Sequence, residues 1–146
     1  MYTESTSERL TGTARFEWDA LDSWFEEDEE VFVHPRNPYT RVDALRSTRH
    51  VRIELDGVIL AESSSPVMVF ETGLPTRYYF NPTELNLRHL VATNTVTSCP
   101  YKGTTTYWSG PGAPDVAWSY EAPLPESVRL GGYVSFDGEG IEVSES

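Results

Sequence analysis

The sequence predicts an all-β domain with minor helices, and three observations carry that reading. Ten prolines and ten glycines are scattered through 146 residues, which favours many short elements joined by turns over long helices. Between them run short segments of β-branched and aromatic residues, each bounded by Pro, Gly or Asn. Finally, Asp56-Gly57 separates two apolar runs. That dipeptide is a strong hairpin signal, because both turn positions require positive φ.

In chain order, residues 1–13 are polar and rich in Ser, Thr and Glu, and read as a disordered tail. Residues 14–48 read as an N-terminal extension. Within it Trp18, Leu21, Trp24 and Phe25 recur at helical spacing, with Asp19 as the cap. This predicts a short acidic amphipathic helix over 19–27 whose aromatic side chains pack on the domain that follows. A short strand is expected over 31–33, ended by Pro35 and Pro38. The main domain, 49–146, is expected to hold strands over 51–55, 58–60, 67–71, 77–80, 93–97, 104–108 and 116–120. Pro123 and Gly131-Gly132 frame one or two helical turns. A closing hairpin is expected to pair 133–136 with 141–143 around Asp137-Gly138. Residues 10–17 also echo 130–137, with Leu, Gly and Phe in register and an acid after the Phe. The echo suggests that the chain carries the tail strand of a lost earlier repeat.

Charge excludes several functions. The formal net charge is −12 and the pI about 4.5, a surface that repels nucleic-acid backbones unless cations are segregated. They are not: Arg36, Arg41, Arg46 and Arg49 are interleaved with apolar and turn residues, so no nucleic-acid partner is expected. The acids are segregated, eight of them lying between Glu17 and Glu30 with no basic residue among them. Such a run is ordinarily a solvated face, or else a docking site for a basic protein partner. No apolar run approaches the length of a membrane span, so no membrane partner is expected. With no basic start or apolar stretch at residues 1–5 and no paired cysteines, a cytoplasmic location is expected.

The only cysteine and the only lysine sit in Cys99-Pro100-Tyr101-Lys102-Gly103. One cysteine closes no internal disulfide, and with dispersed His34, His50 and His89 it builds no tetrahedral metal site, so neither metal nor cofactor is expected. A thiolate beside an ammonium gains nucleophilicity, which makes Cys99 and Lys102 candidate catalytic residues. The plainer alternative is a small buried cysteine and an ordinary turn lysine. A binding reading needs no reaction. Tyr78, Tyr101, Tyr107, Trp108, Trp118 and Tyr120 would wall a small-molecule pocket, Lys102 and Arg77 would supply cations, and Glu62 and Glu71 would accept hydrogen bonds. Against it stands ordinary packing, since inward Tyr and Trp also build β cores.

Five motifs carry a resemblance: 71–79 (Glu-Thr-Gly-Leu-Pro-Thr-Arg-Tyr-Tyr), Cys99 to Thr104, Tyr107-Trp108, Ala117 to Tyr120, and Pro123 to Glu126. In order and spacing they resemble the domain of unknown function 427 family over about 49–143, and 24–39 resembles the linker before the second copy in two-copy members. The resemblance implies a β-tent fold, two antiparallel sheets pitched against each other, as in small-molecule and zinc-binding relatives. The Cys-x-x-Cys knuckles of the zinc-binding relatives have no counterpart here. The family is sometimes labelled nucleotidyltransferase. That chemistry needs a Gly-Ser phosphate loop and clustered carboxylates for Mg²⁺, whereas Gly73 and Gly103 stand alone and no Asp-x-Asp pair occurs.

Overall fold

The computed structural model describes residues 2–4, 13–31, 41–99, 103–121 and 129–146. Fourteen strands are described: β1 (Tyr2–Glu4), β2 (Ala14–Phe16), β3 (Phe25–Glu26), β4 (Glu29–Glu30), β5 (Val42–Arg46), β6 (Val51–Leu55) and β7 (Val58–Ser63), then β8 (Val67–Glu71), β9 (Arg77–Tyr79), β10 (Val91–Cys99), β11 (Gly103–Gly110), β12 (Ala113–Tyr120), β13 (Val134–Phe136) and β14 (Ile141–Glu145). Complete 3-10 turns are described at Trp18–Ala20, Pro82–Glu84 and Leu87–His89, and residues 129–130 are also in 3-10 conformation. The all-β class with minor helices therefore holds.

Three antiparallel sheets make the body, in strand orders β5-β8-β9, β10-β11-β12-β13 and β14-β6-β7. The first two meet where Phe80 and Val134 exchange backbone hydrogen bonds of 2.8 and 2.9 Å. Because side chains alternate along a strand, Tyr79 and Phe80 point to opposite faces of this junction. On Phe80's face lies the larger core, with Phe136, Ala117 and Val134 packed against Val51, Ile53, Leu55, Leu60 and Ala61 of the third sheet. On Tyr79's face Val67, Val69, Tyr120 and Leu130 close a second core between the two joined sheets. These joined sheets are pitched against each other, and no sheet closes into a barrel.

The Asp56-Gly57 hairpin forms as its residues dictate, with φ of +48° and +80° at the two positions. The closing hairpin does not form. β13 pairs with β12, while β14 pairs with β6 in another sheet. Asp137 turns its carboxylate back onto the Gly138 N–H at 3.0 Å, and Gly138 and Gly140 adopt φ of +146° and +82°. This glycine-rich crossing carries the chain to the open edge of β6 instead of folding it back on β13.

The acidic helix over 19–27 does not form either. Its C-terminal half is a tight hairpin, β3-β4, with Glu27 at φ +52° in the turn. Adjacent carboxylates repel within a helix, and here the domain's own arginines draw them outward. Arg41 pairs with Glu26 at 2.6 Å, Arg49 with Glu27 at 2.8 Å, and Arg129 with Glu29. Of the aromatic side chains expected to pack on the domain, Trp18 stacks on Trp24 at 5.0 Å, and Phe16 lies edge-on to Trp24. Leu21 and Phe25 stay exposed. The expected strand over 31–33 falls largely, and the helical turns over 123–130 mostly, outside the described residues.

Arg49 also bonds Glu145 at 2.9 Å, tying the acidic hairpin to β14. The Glu27 carboxyl is held below the usual carboxylate range chiefly by its hydrogen bond from Arg49. Glu145 is held low first by the Tyr78 hydroxyl and then by Arg49. A carboxyl whose pKa is lowered by folding contributes stability above its unfolded value, about 4.3, and that contribution is lost as pH falls through the folded value. Replacing Arg49 with Met is expected to flatten the acid limb of the stability profile below about pH 4.3. Melting temperatures of both proteins from pH 7 to 3 check this, and parallel acid limbs would refute it.

Candidate functional site

A cavity of about 360 Å³ opens between the joined sheets, on the Tyr79 face. Strand register explains its walls. Thr97, Thr105 and Tyr120 lie side by side across β10, β11 and β12, and the next row pairs Tyr107 with Trp118. From the facing sheet β9 contributes Arg77 and Tyr79, and Glu71 and Leu74 follow from the end of β8. Asp115 and Asp137 complete the lining.

The polar groups are held in fixed pairs. Arg77 meets Asp137 at 2.7 Å and lies 5.4 Å over the Trp118 ring, a cation–π geometry. That hydrogen bond holds the Asp137 carboxyl below the usual range against some desolvation. The Trp118 indole N–H donates to the Tyr79 hydroxyl at 3.3 Å, and Tyr79 stacks on Tyr120 at 6.4 Å. Burial, with Tyr120 beside it, pushes the Tyr79 phenol well above its usual pKa, so Tyr79 remains a neutral donor. Thr97 and Tyr107 share a hydroxyl–hydroxyl bond of 2.8 Å. Beneath Trp118, its cross-strand neighbour Ser135 has a fully buried hydroxyl with no partner among the described residues.

Of the ten binding candidates from the sequence, the cavity gathers Glu71, Arg77, Tyr107, Trp118 and Tyr120. Trp108, adjacent to Tyr107, faces the other way and packs on the larger core. Tyr78 likewise points away; its hydroxyl donates to Glu145, and burial first, then that carboxylate, pushes its pKa up to about 12. Glu62 lies on β7 in the third sheet, bonded to Arg52 at 2.8 Å and His50 at 2.9 Å. Tyr101 and Lys102 fall outside the described residues, as does the side chain of Cys99. Tyr79, Thr97, Thr105, Asp115 and Asp137 escaped the sequence reading. Strand alternation would have found Tyr79 and Thr105, since each lies two residues from a named candidate. Among the described residues no three His, Cys, Asp or Glu side chains come together as a metal site, and no helix is long and apolar enough to cross a membrane.

Pitched antiparallel sheets with an aromatic, ion-paired cavity between them define the class of domain. Residues 43–146 match the family described as Domain of unknown function (DUF427), and the chain belongs to that family. The match opens within β5, so it takes in the strand pairing on which one side of the cavity is built. No curated protein matches the chain.

Proposed function

We propose that this is a small-molecule binding domain whose ligand sits between the joined sheets, on the aromatic walls of Tyr107, Trp118 and Tyr120. The observation that carries the reading is the convergence of Arg77 and Tyr79 from one sheet with Trp118 and Tyr120 from the other on one cavity. Such pockets combine apolar walls with a few fixed polar groups and lie between packed layers. Arg77, Asp137, Tyr79, Trp118, Thr97 and Tyr107 are each already oriented by a protein partner, so a ligand meets a largely prearranged surface and loses little affinity to ordering it.

Cys99 pairs with Gly103, and Thr97 pairs with Thr105 two residues down the same ladder. Residues 100–102, which include Tyr101 and Lys102, therefore connect in sequence the strands that supply the cavity's Thr wall. This continuity supports Lys102 as a binding residue. Melting-shift screening with small planar acids, amines and heterocycles tests the reading. A saturating ligand is expected to raise the melting temperature by several degrees. Replacing Lys102 with Met is expected to remove that shift while changing the unliganded stability by less than about 1 kcal/mol. A shift that survives in both the Lys102→Met and Trp118→Phe proteins would place binding elsewhere.

A further inference from the structure

We infer that this chain pairs with a second copy of itself along the outer edge of β10, antiparallel about a two-fold axis near Thr97. Such pairing is independent of what the cavity binds. The edge is marked out by the way every other outer strand of the three sheets is closed or guarded.

The outer strands are β5 and β9, β10 and β13, and β14 and β7. β9, through Phe80, meets β13 where the first two sheets join. The edge of β5 is taken up by the acidic hairpin: the Arg46 N–H donates to the Glu29 carboxylate at 3.1 Å, and the Asp28 N–H donates to the Arg46 carbonyl at 3.3 Å. Along β7, Ala61 bridges Leu85, and the Leu60 carbonyl accepts the Asn86 N–H at 2.8 Å. That leaves β14 and β10 open among the described residues. β14 carries Glu142 and Glu145, and charge on an edge strand blocks pairing with another chain. β10 has no such guard.

β10 runs nine residues with no charged side chain, beyond the usual strand of roughly five or six. Val91, Ala92, Val96, Thr97 and Ser98 are all exposed. No Asp or Glu occurs between Glu84 and Asp115, and the Arg and Lys of that stretch, Arg88 and Lys102, both lie outside the strand. In a chain of net charge −12, two copies repel wherever their acids face each other. Of the two open edges, only β10 lets them approach without that cost. The bulge between Ala92 and Val96 interrupts the strand at one end, and Pro100 has no N–H to donate at the other. The regular stretch is therefore Val96 to Cys99. A second copy offers the same uncharged stretch, and the axis sets Thr97 against the second copy's Thr97, a cross-strand pair that stabilises antiparallel strands. A two-fold axis normal to the sheet keeps each face on its own side. Thr97 lines the cavity, so the two cavities open on one face of a continuous sheet, on either side of the seam.

Sedimentation equilibrium of the full chain from about 10 to 300 µM, a span suited to micromolar affinity, tests the pairing. The 16.5 kDa chain is expected to be mainly dimeric at the upper end. Val96→Lys and Ser98→Lys each place a guarding charge on the edge and are expected to weaken association by about tenfold or more. Val143→Lys puts the same charge on β14, where Val143 is also exposed, and is expected to associate like the native chain. Thermal melting shows which variants are folded, and amide hydrogen exchange on the native chain needs none of them. Protection at Val96 to Cys99 is expected to rise from the lowest concentration to the highest. A native chain that stays monomeric throughout, or a dimer that survives in both folded β10 variants, would overturn the pairing. So would a folded Val143→Lys chain that no longer associates, or protection that rises elsewhere and not at β10.

Discussion

A chain that begins at Arg49 is expected to lose its cooperative unfolding transition, whereas one that begins at Arg41 keeps it. The difference is β5. All five of its residues pair with β8, from Val42 opposite Glu71 to Arg46 opposite Val67. Leu45 is 1% exposed, and truncating a buried leucine costs about 2–5 kcal/mol. Removing the whole strand also strips β8 of its partner beside Val67 and Val69, two residues of the smaller core. Against a typical net stability of about 5–15 kcal/mol, that loss is close to the whole. The segment before Arg41 is different. Its described contacts with the domain are ion pairs and hydrogen bonds, most of them exposed or half-exposed, such as Arg49 to Glu27 and Thr48 to Asp28, and exposed pairs of this kind each contribute little. Urea denaturation of the two truncated chains separates the cases. Equal transitions in both would mean that β5 is dispensable.

Phe80→Ala is expected to lower the unfolding free energy by about 3–5 kcal/mol, the range for removing a fully buried aromatic side chain. Phe80 is inaccessible to solvent, lies 5.9 Å edge-on to Phe136, and its backbone forms the only described bridge between the two joined sheets. Its side chain faces away from the cavity. The substitution should therefore destabilise the protein without changing what the remaining folded molecules bind. The conservative Phe80→Leu should cost less than about 1.5 kcal/mol, since most of the volume remains. Both follow from equilibrium urea curves; a loss below about 1 kcal/mol for the alanine variant, the ordinary effect of a point substitution, would mean that the junction is not where the sheets are held.

Local signals in the sequence located the strands well, because turn chemistry and β-branched runs act over a few residues. Asp56-Gly57 is the clearest case. What the sequence could not convey is partnership. Tyr133 to Ile141 reads as a hairpin, since the run has the right residues around Asp137-Gly138, yet the choice of β6 as the partner of β14 depends on an open edge far away in sequence. The acidic stretch failed for the same reason. Its helical spacing is real, but Arg41, Arg49 and Arg129 decide where the carboxylates go, and these lie well outside any local window. For the cavity the error was one of parity. Arg77 with Tyr78, and Tyr107 with Trp108, are consecutive strand residues and cannot share a face; one of each pair reaches the cavity and the other is packing. Asp115 had no local signal at all, because its place in the lining emerges only where β12 passes the Thr93 and Thr95 hydroxyls of β10.

The crossing at Asp137 to Gly140 also governs how the chain reaches its fold. The β6-β7 hairpin closes over a two-residue turn and can form within microseconds. The sheet to which it belongs is incomplete until β14 arrives, and Arg49 and Glu145, which clasp across that seam, are ninety-six residues apart. Closing so long a loop loses chain entropy before any contact compensates for it. The slow event in folding is therefore expected to be the search of this last strand for its edge, with the early hairpin keeping one flank open to solvent until it arrives.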